Sequence, residues 1–277
     1  MQEDDEPPLP VVAPPTLPGW AAQFVEVKGL KTRFYQAGQG PPLLLIPSVF
    51  LRAASYRNTI FTLAEHFQVI AAEMPGSGRS ARLRRPWGFA QGADWVADFM
   101  DVLELERAIV VGHSDTGGTA TLMGVRHPDR LDALVIADSV GARPGITWPA
   151  LLWGRFLDGT FEESRLNLPL TPHIIANLFR HTRSVLHHAF KLAVDPLPLE
   201  MAPQVGAPTL IAWGRRDHTF PPDCAERLQQ AIPDSRIVWS DASHDWIITH
   251  PRAFADAVVQ FKGELKARKG ECQATCV

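Results

Sequence analysis

Cysteine is close to absent from this sequence, with three in 277 residues. Cys224 lies in a stretch of helical pattern, and Cys272 and Cys276 sit in a polar end whose spacing supports neither a metal nor a redox site. Long apolar runs are missing too. None approaches the roughly 20 residues needed to span a bilayer. Met1 to Pro18 carries acids between Glu3 and Glu6 and then many prolines, with neither a basic start nor an apolar segment, so it reads as a disordered arm and not a signal. The expected location is the cytoplasm. Charge of one sign is scarce: the formal net charge is −3, which gives no reason to expect nucleic acid, and no membrane partner is expected either. The basic runs Arg79 to Arg85 and Lys262 to Lys269 read as solvated faces. Tyrosine occurs only at Tyr35 and Tyr56.

What is present is an ordinary globular composition, with 45% hydrophobic and 21% charged residues, on a chain long enough for one full core. Apolar runs alternate with helix-period segments from Phe24 to about Lys266, the pattern of a parallel sheet covered by helices, so the fold class is α/β. Phe24 to Val27 and Thr32 to Gln36 predict an opening hairpin. Leu43 to Ile46, Val69 to Ala72, Ala108 to Val111, Leu134 to Ala137, Thr209 to Trp213 and Ile237 to Trp239 predict buried strands. Helices are expected over Tyr56 to His66, Phe89 to Leu105 and Pro251 to Lys266. About seventy residues separate the fourth and fifth of those buried strands, far beyond a usual connection. The expected division is therefore an arm at 1–20, a core over 21–139 and 206–267, a helical cap over 140–205, and a flexible tail at 268–277.

A serine hydroxyl needs a neighbouring imidazole to take its proton and an acid to orient that imidazole. Ser114 follows the apolar strand Ala108 to Val111 in Gly112-His113-Ser114-Asp115-Thr116-Gly117-Gly118. Asp217 follows Thr209 to Trp213, and His244 follows Ile237 to Trp239. Each candidate therefore leaves the carboxyl end of a strand, in the order Ser, Asp, His. Asp138, at the end of the preceding strand, is a rival for the acid, though Asp217 is favoured. His66, His127, His173, His181, His187, His188 and His250 are read as surface or packing histidines.

Several further segments carry a resemblance. Glu73-Met74-Pro75-Gly76-Ser77-Gly78-Arg79-Ser80, His127-Pro128-Asp129-Arg130-Leu131, Trp213 to Pro221, and Ser243-His244 with Pro251 and Phe254 downstream are together similar, in order and spacing, to the α/β-hydrolase superfamily. The resemblance implies an α/β-hydrolase fold: a mostly parallel central sheet flanked by helices, with a helical cap after the sixth strand. It implies Ser114 as nucleophile, His244 as base and Asp217 as orienting acid, and an oxyanion hole from the backbone N–H groups of Val49 and Asp115. Phe50, His113, Trp148, Trp153 and His218 are the expected substrate-binding residues, with no metal and no cofactor. The expected substrate is a small, largely apolar ester or lactone, and the oligomeric state is not readable.

The elbow departs from the family's Gly-x-Ser-x-Gly in having Thr116 two residues after the serine. Aligned on its glycines, it would make Asp115 the nucleophile, as in dehalogenases and epoxide hydrolases. That register puts His113 where a small residue belongs, finds no tyrosine in the cap, and has Thr116 where dehalogenases place a tryptophan. Ser114 is therefore favoured. The oxyanion loop, Ile46-Pro47-Ser48-Val49-Phe50, lacks the family's usual glycine. A ligand-binding protein without activity thus stands as the alternative to an enzyme.

Overall fold

The computed structural model describes residues 21–162 and 164–275, with side chains for 21–160 and 170–268; the expected arm at 1–20 lies outside them. Eight strands form one sheet in the order β1-β2-β4-β3-β5-β6-β7-β8. They are β1 (Gln23–Val27), β2 (Leu30–Ala37), β3 (Pro42–Ile46), β4 (Gln68–Ala72), β5 (Ala108–His113), β6 (Leu131–Ala137), β7 (Thr209–Gly214) and β8 (Ser235–Ser240). β1 and β2 are the expected antiparallel hairpin, β2 lies antiparallel to β4, and every later pairing is parallel.

The inner parallel strands β3 to β7 are apolar at consecutive positions because both faces are covered, whereas the edge strand β8 is half-buried throughout. In β3, Leu44 and Ile46 join the core on one face with Val110, Ile136 and Trp213. Leu43 and Leu45 join the other with Val69, Val111 and Val135. Each such leucine, fully buried, stabilises the fold by about 1.5–3 kcal/mol relative to an exposed one. Helices α1 (Arg57–Leu63), α2 (Phe89–Val102) and α3 (Asp115–Arg126) follow β3, β4 and β5.

Between β6 and β7 the chain forms α4 (Trp148–Leu157), α5 (Ser164–Arg180), α6 (Thr182–Phe190) and α7 (Leu197–Met201), with a wider π-helical turn at Asp158–Glu162 between α4 and α5 and a tighter 3-10 turn at Leu192–Val194 between α6 and α7. Helix α8 (Asp223–Ala231) links β7 to β8, and α9 (Trp246–Thr249) and α10 (Pro251–Thr275) close the chain. Helix α10 runs past the expected Lys266 and replaces the start of the expected tail. Glu264, Leu265, Lys266, Ala267 and Arg268 are all strong helix formers, and Gly270 alone costs only about 1 kcal/mol. No helix of the described residues is long and apolar enough to cross a membrane.

Candidate active site

From Ala108 to Gly124 every residue is buried except Ser114, which is half-buried. Its backbone sits at φ 57 and ψ −120, a conformation that costs a non-glycine residue of order 1–3 kcal/mol and that recurs at functional sites. The turn holds because its flanks are fixed. Ser114 N–H donates to Ala137 O at 2.9 Å, and β5 is paired with strands on both sides.

Thr116 fits this turn without a glycine. Its hydroxyl donates to Ile46 O at 2.7 Å and lies 2.9 Å from His113 O, while it accepts from His113 N–H at 3.1 Å. The side chain that breaks the motif thus ties the ends of β3 and β5 together. The displaced glycine has its own reason: a Cβ on Gly117 would lie 2.3 Å from Ser139 Oγ.

Ser114 Oγ stands 2.9 Å from His244 Nε2, and His244 Nδ1 stands 2.9 Å from Asp217 Oδ2. His244 and Asp217 are buried. Burial works against a charge on the imidazole, but Asp217, through its charge and its hydrogen bond, and then Asp245 outweigh it; the His244 pKa rises from 6.5 to about 9. Burial raises the Asp217 pKa, with His244 pulling it back. Phe220 N–H donates to Asp217 Oδ1 at 2.7 Å and fixes the other carboxylate oxygen.

Asp138 does not take the acid's place. Its Oδ1 accepts from Gly214 N–H at 2.8 Å, and burial together with the charge of Asp217 holds its pKa well above the usual carboxylate range.

The five expected substrate-binding residues part company. His113 is fully buried behind the site and is corrected to a supporting role. Ser48 N–H donates to the Tyr56 hydroxyl at 3.2 Å, that hydroxyl lies 2.7 Å from His113 Nδ1, and His113 Nε2 lies 3.3 Å from His244 O. Burial lowers the His113 pKa to about 4 and that of Tyr56 goes up. The ring is therefore neutral, with Tyr56 O–H donating to Nδ1 and Nε2–H donating to the His244 carbonyl.

Trp153 is also corrected: it is 61% exposed and stacks on Phe156 at the surface. Helix α4 turns Leu151 and Gly154 inward instead. A Cβ on Gly154 would lie 2.0 Å from His218 O, so that face must be the inner one. Trp148 is half-buried and stacks on Phe190 with ring centroids 3.7 Å apart. Phe50 is half-buried against the core, and the His218 ring lies 2.9 Å from Asp158.

Of the residues that hold α4–α6 to the sheet edge, only His173, His181 and His188 stand out in the sequence, and there as surface or packing histidines. Asp158, fully buried, accepts from His218 N–H at 3.0 Å, from Thr219 N–H at 2.8 Å and from the Thr219 hydroxyl at 2.6 Å. Asn177 donates to Val49 O and Leu51 O at 3.1 and 2.8 Å. Arg155 pairs with Asp245 at 2.7 Å. His173 contacts Ser55 at 2.8 Å and His181 contacts Gly78 O at 2.9 Å, both buried. His188 Nδ1 stands 2.6 Å from Asp115 Oδ2. Single polar residues in an amphipathic helix carry no periodic signal, so only the burial of three of these histidines reveals them.

Among the described residues His113, His244 and Asp245 bring possible metal ligands within 4.8 Å of one another. Their atoms already serve Tyr56, Ser114, Asp217 and Arg155, so the set is explained by proton-bearing contacts.

A family model described as alpha/beta hydrolase fold matches residues 41–162. The 2-hydroxymuconate semialdehyde hydrolase of a Pseudomonas strain is 30% identical over 269 residues, covering 86% of this chain and 93% of that one. The chain belongs to the α/β-hydrolase superfamily. Within it, the 2-hydroxy-6-oxo-6-(2'-aminophenyl)hexa-2,4-dienoic acid hydrolase of Metapseudomonas resinovorans is 27% identical, covering 87% of this chain and 91% of that one. Among solved structures, the meta-cleavage product hydrolase of Pseudomonas fluorescens superposes on this α/β-hydrolase with a TM-score of 0.74 at 25% identity, over 87% of this chain and 97% of the other. The enol-lactonase of Burkholderia xenovorans superposes with a TM-score of 0.73 at 23% identity, over 86% and 99%; that likeness concerns the fold.

Proposed function

We propose that this α/β-hydrolase cleaves a small, largely apolar carboxylic ester or lactone through an acyl-Ser114 intermediate, without a cofactor. The observation that carries the reading is the 2.9 Å and 2.9 Å relay from Ser114 through His244 to Asp217, set on a strained, half-buried serine. In acylation His244 Nε2 takes the hydroxyl proton as the Ser114 Oγ–carbon bond forms and the carbonyl electrons move onto its oxygen. The tetrahedral species then expels the alkoxide, which takes the proton from His244 as it leaves. Water repeats the sequence on the acyl-serine and releases the acid. Asp217 orients the imidazole and favours its charged form. The N–H of Asp115, in the first turn of α3 where backbone donors have no partner within the helix, and that of Val49 are the proposed oxyanion donors. Helices α4–α6 act as the cap, with Phe50 and Trp148 as apolar wall.

A dienoic acid is the second reading for the substrate, favoured by the name of the Metapseudomonas resinovorans hydrolase compared above. A fluorophosphonate probe with intact-mass readout tests the nucleophile: an adduct on wild type that is absent in Ser114→Ala is expected. Tight ligand binding with no adduct and no turnover on an ester panel would instead favour the non-catalytic alternative. Halide release abolished by Asp115→Asn would establish the aspartate register.

A further inference from the structure

The N–H of Val49 already has a partner. It faces the Asp115 carboxylate at 3.2 Å to Oδ1 and 3.3 Å to Oδ2, and His188 of α6 stands on the far side of that carboxylate, 2.6 Å from Oδ2. Val49, Asp115 and His188 are all at least 95% buried, with exposures of 1%, 2% and 4%. Asp115 opens α3, where the helix N-terminus favours a negative charge, and Asn177 clamps the carbonyl of Val49 from α5. The group beside the proposed oxyanion donor is thus a buried carboxylate wedged between the elbow, the oxyanion loop and α6.

We propose that Asp115, backed by His188, is a specificity-determining residue that selects acyl groups carrying their own hydrogen-bond donor, a hydroxyl or N–H, next to the scissile carbonyl. The inference rests on the acyl-Ser114 reading. A substrate carbonyl that takes the Val49 N–H removes a hydrogen-bond donor from a carboxylate that is only 2% exposed and keeps His188 on Oδ2 alone, and a buried acceptor that loses a donor is costly. A plain alkyl acyl group leaves the cost standing. An acyl group with a hydroxyl or N–H beside its carbonyl donates to Asp115 as it displaces Val49, and the exchange is balanced. Sites that hydrogen-bond a substrate donor discriminate strongly against analogues lacking it.

The test compares phenyl butyrate with phenyl 2-hydroxybutyrate on wild type, Asp115→Ala and Asp115→Asn, with fluorophosphonate labelling of Ser114 run in parallel. Wild type is expected to prefer the hydroxy ester by roughly tenfold or more in kcat/KM, the size of one hydrogen bond to a buried charge. Asp115→Ala should lose that preference and gain a similar factor on phenyl butyrate. Labelling at Ser114 without any preference in wild type overturns this proposal and leaves the hydrolase reading standing. Because the wild-type comparison decides alone, a variant that fails to fold does not shelter the idea. Absence of both labelling and turnover overturns the hydrolase reading and this proposal with it.

Discussion

On one side of Ser114 a hydroxyl, an imidazole and a carboxylate stand in line at 2.9 Å and 2.9 Å; on the other, a backbone N–H meets a carboxylate at 3.2 Å. The base side is built from core loops, and each of its partners is already in position. The proposed oxyanion side is built jointly by the core and by α5 and α6, and one of its two proposed donors, the Val49 N–H, already faces the Asp115 carboxylate. On the proposed mechanism, proton transfer is therefore prepared before any ligand arrives, whereas charge stabilisation at Val49 waits for one. The two sides answer to different parts of the chain, and they can be broken separately.

The largest effect should come from the base side. Ser114→Ala is expected to lower kcat on a responsive ester by about 10⁴–10⁶-fold, and Asp217→Asn by about 10⁴-fold, measured as steady-state rates on folded protein. Retention of more than a tenth of the activity in either variant would remove the relay from the mechanism.

Next comes the joint between core and insertion. Asp158→Ala strips a buried carboxylate from two N–H groups and a hydroxyl, and should cost about 3–5 kcal/mol of stability, read by denaturant unfolding. Asp158→Asn, which keeps the acceptor oxygen, should cost less. Equal stability of wild type and Asp158→Ala would show that the insertion is not held there.

The pH dependence sharpens the same contrast. A protonated imidazole has no lone pair for the Ser114 proton, so the acylation rate should rise with pH and level off above about 9, the His244 value. Two units below that value only about 1% of the imidazole is neutral, so the rate at pH 7 should be about a hundredth of the plateau. A profile that levels near 6.5 would mean that Asp217 and Asp245 do not act on His244 as described.

The smallest effect belongs to the elbow's odd residue. Thr116→Val removes a buried hydroxyl and leaves Ile46 O and His113 N–H without it, for about 1–3 kcal/mol in a chemical melt. No loss would show that the hydroxyl is dispensable and that only the volume of the side chain matters.

The strands were legible because a strand buried on both faces must be apolar at successive positions. The candidate triad was legible because three strand ends fix where its members emerge. The structure brings together Ser114, His244 and Asp217 as that order implies. What the chain did not disclose was direction. His113 looks like a pocket residue beside Ser114, yet alternation along β5 turns it inward to Tyr56. Trp153 looks like a pocket wall, yet the inner face of α4 is set by Leu151 and Gly154. Thr116 looks like a broken motif, yet its hydroxyl donates to Ile46 O at 2.7 Å and lies 2.9 Å from His113 O. A spacing in sequence fixes which residues share a neighbourhood, and the side-chain partners decide which way each one faces.

The Ser48–Tyr56–His113–His244 contacts have a mechanical meaning. The loop bearing the proposed oxyanion donor and the loop bearing the imidazole are spanned by one rigid strut of two aromatic rings, buried beneath both. On the proposed mechanism, the gap that would receive a carbonyl carbon is thus gauged by this strut. None of the four residues of that strut belongs to the insertion between β6 and β7.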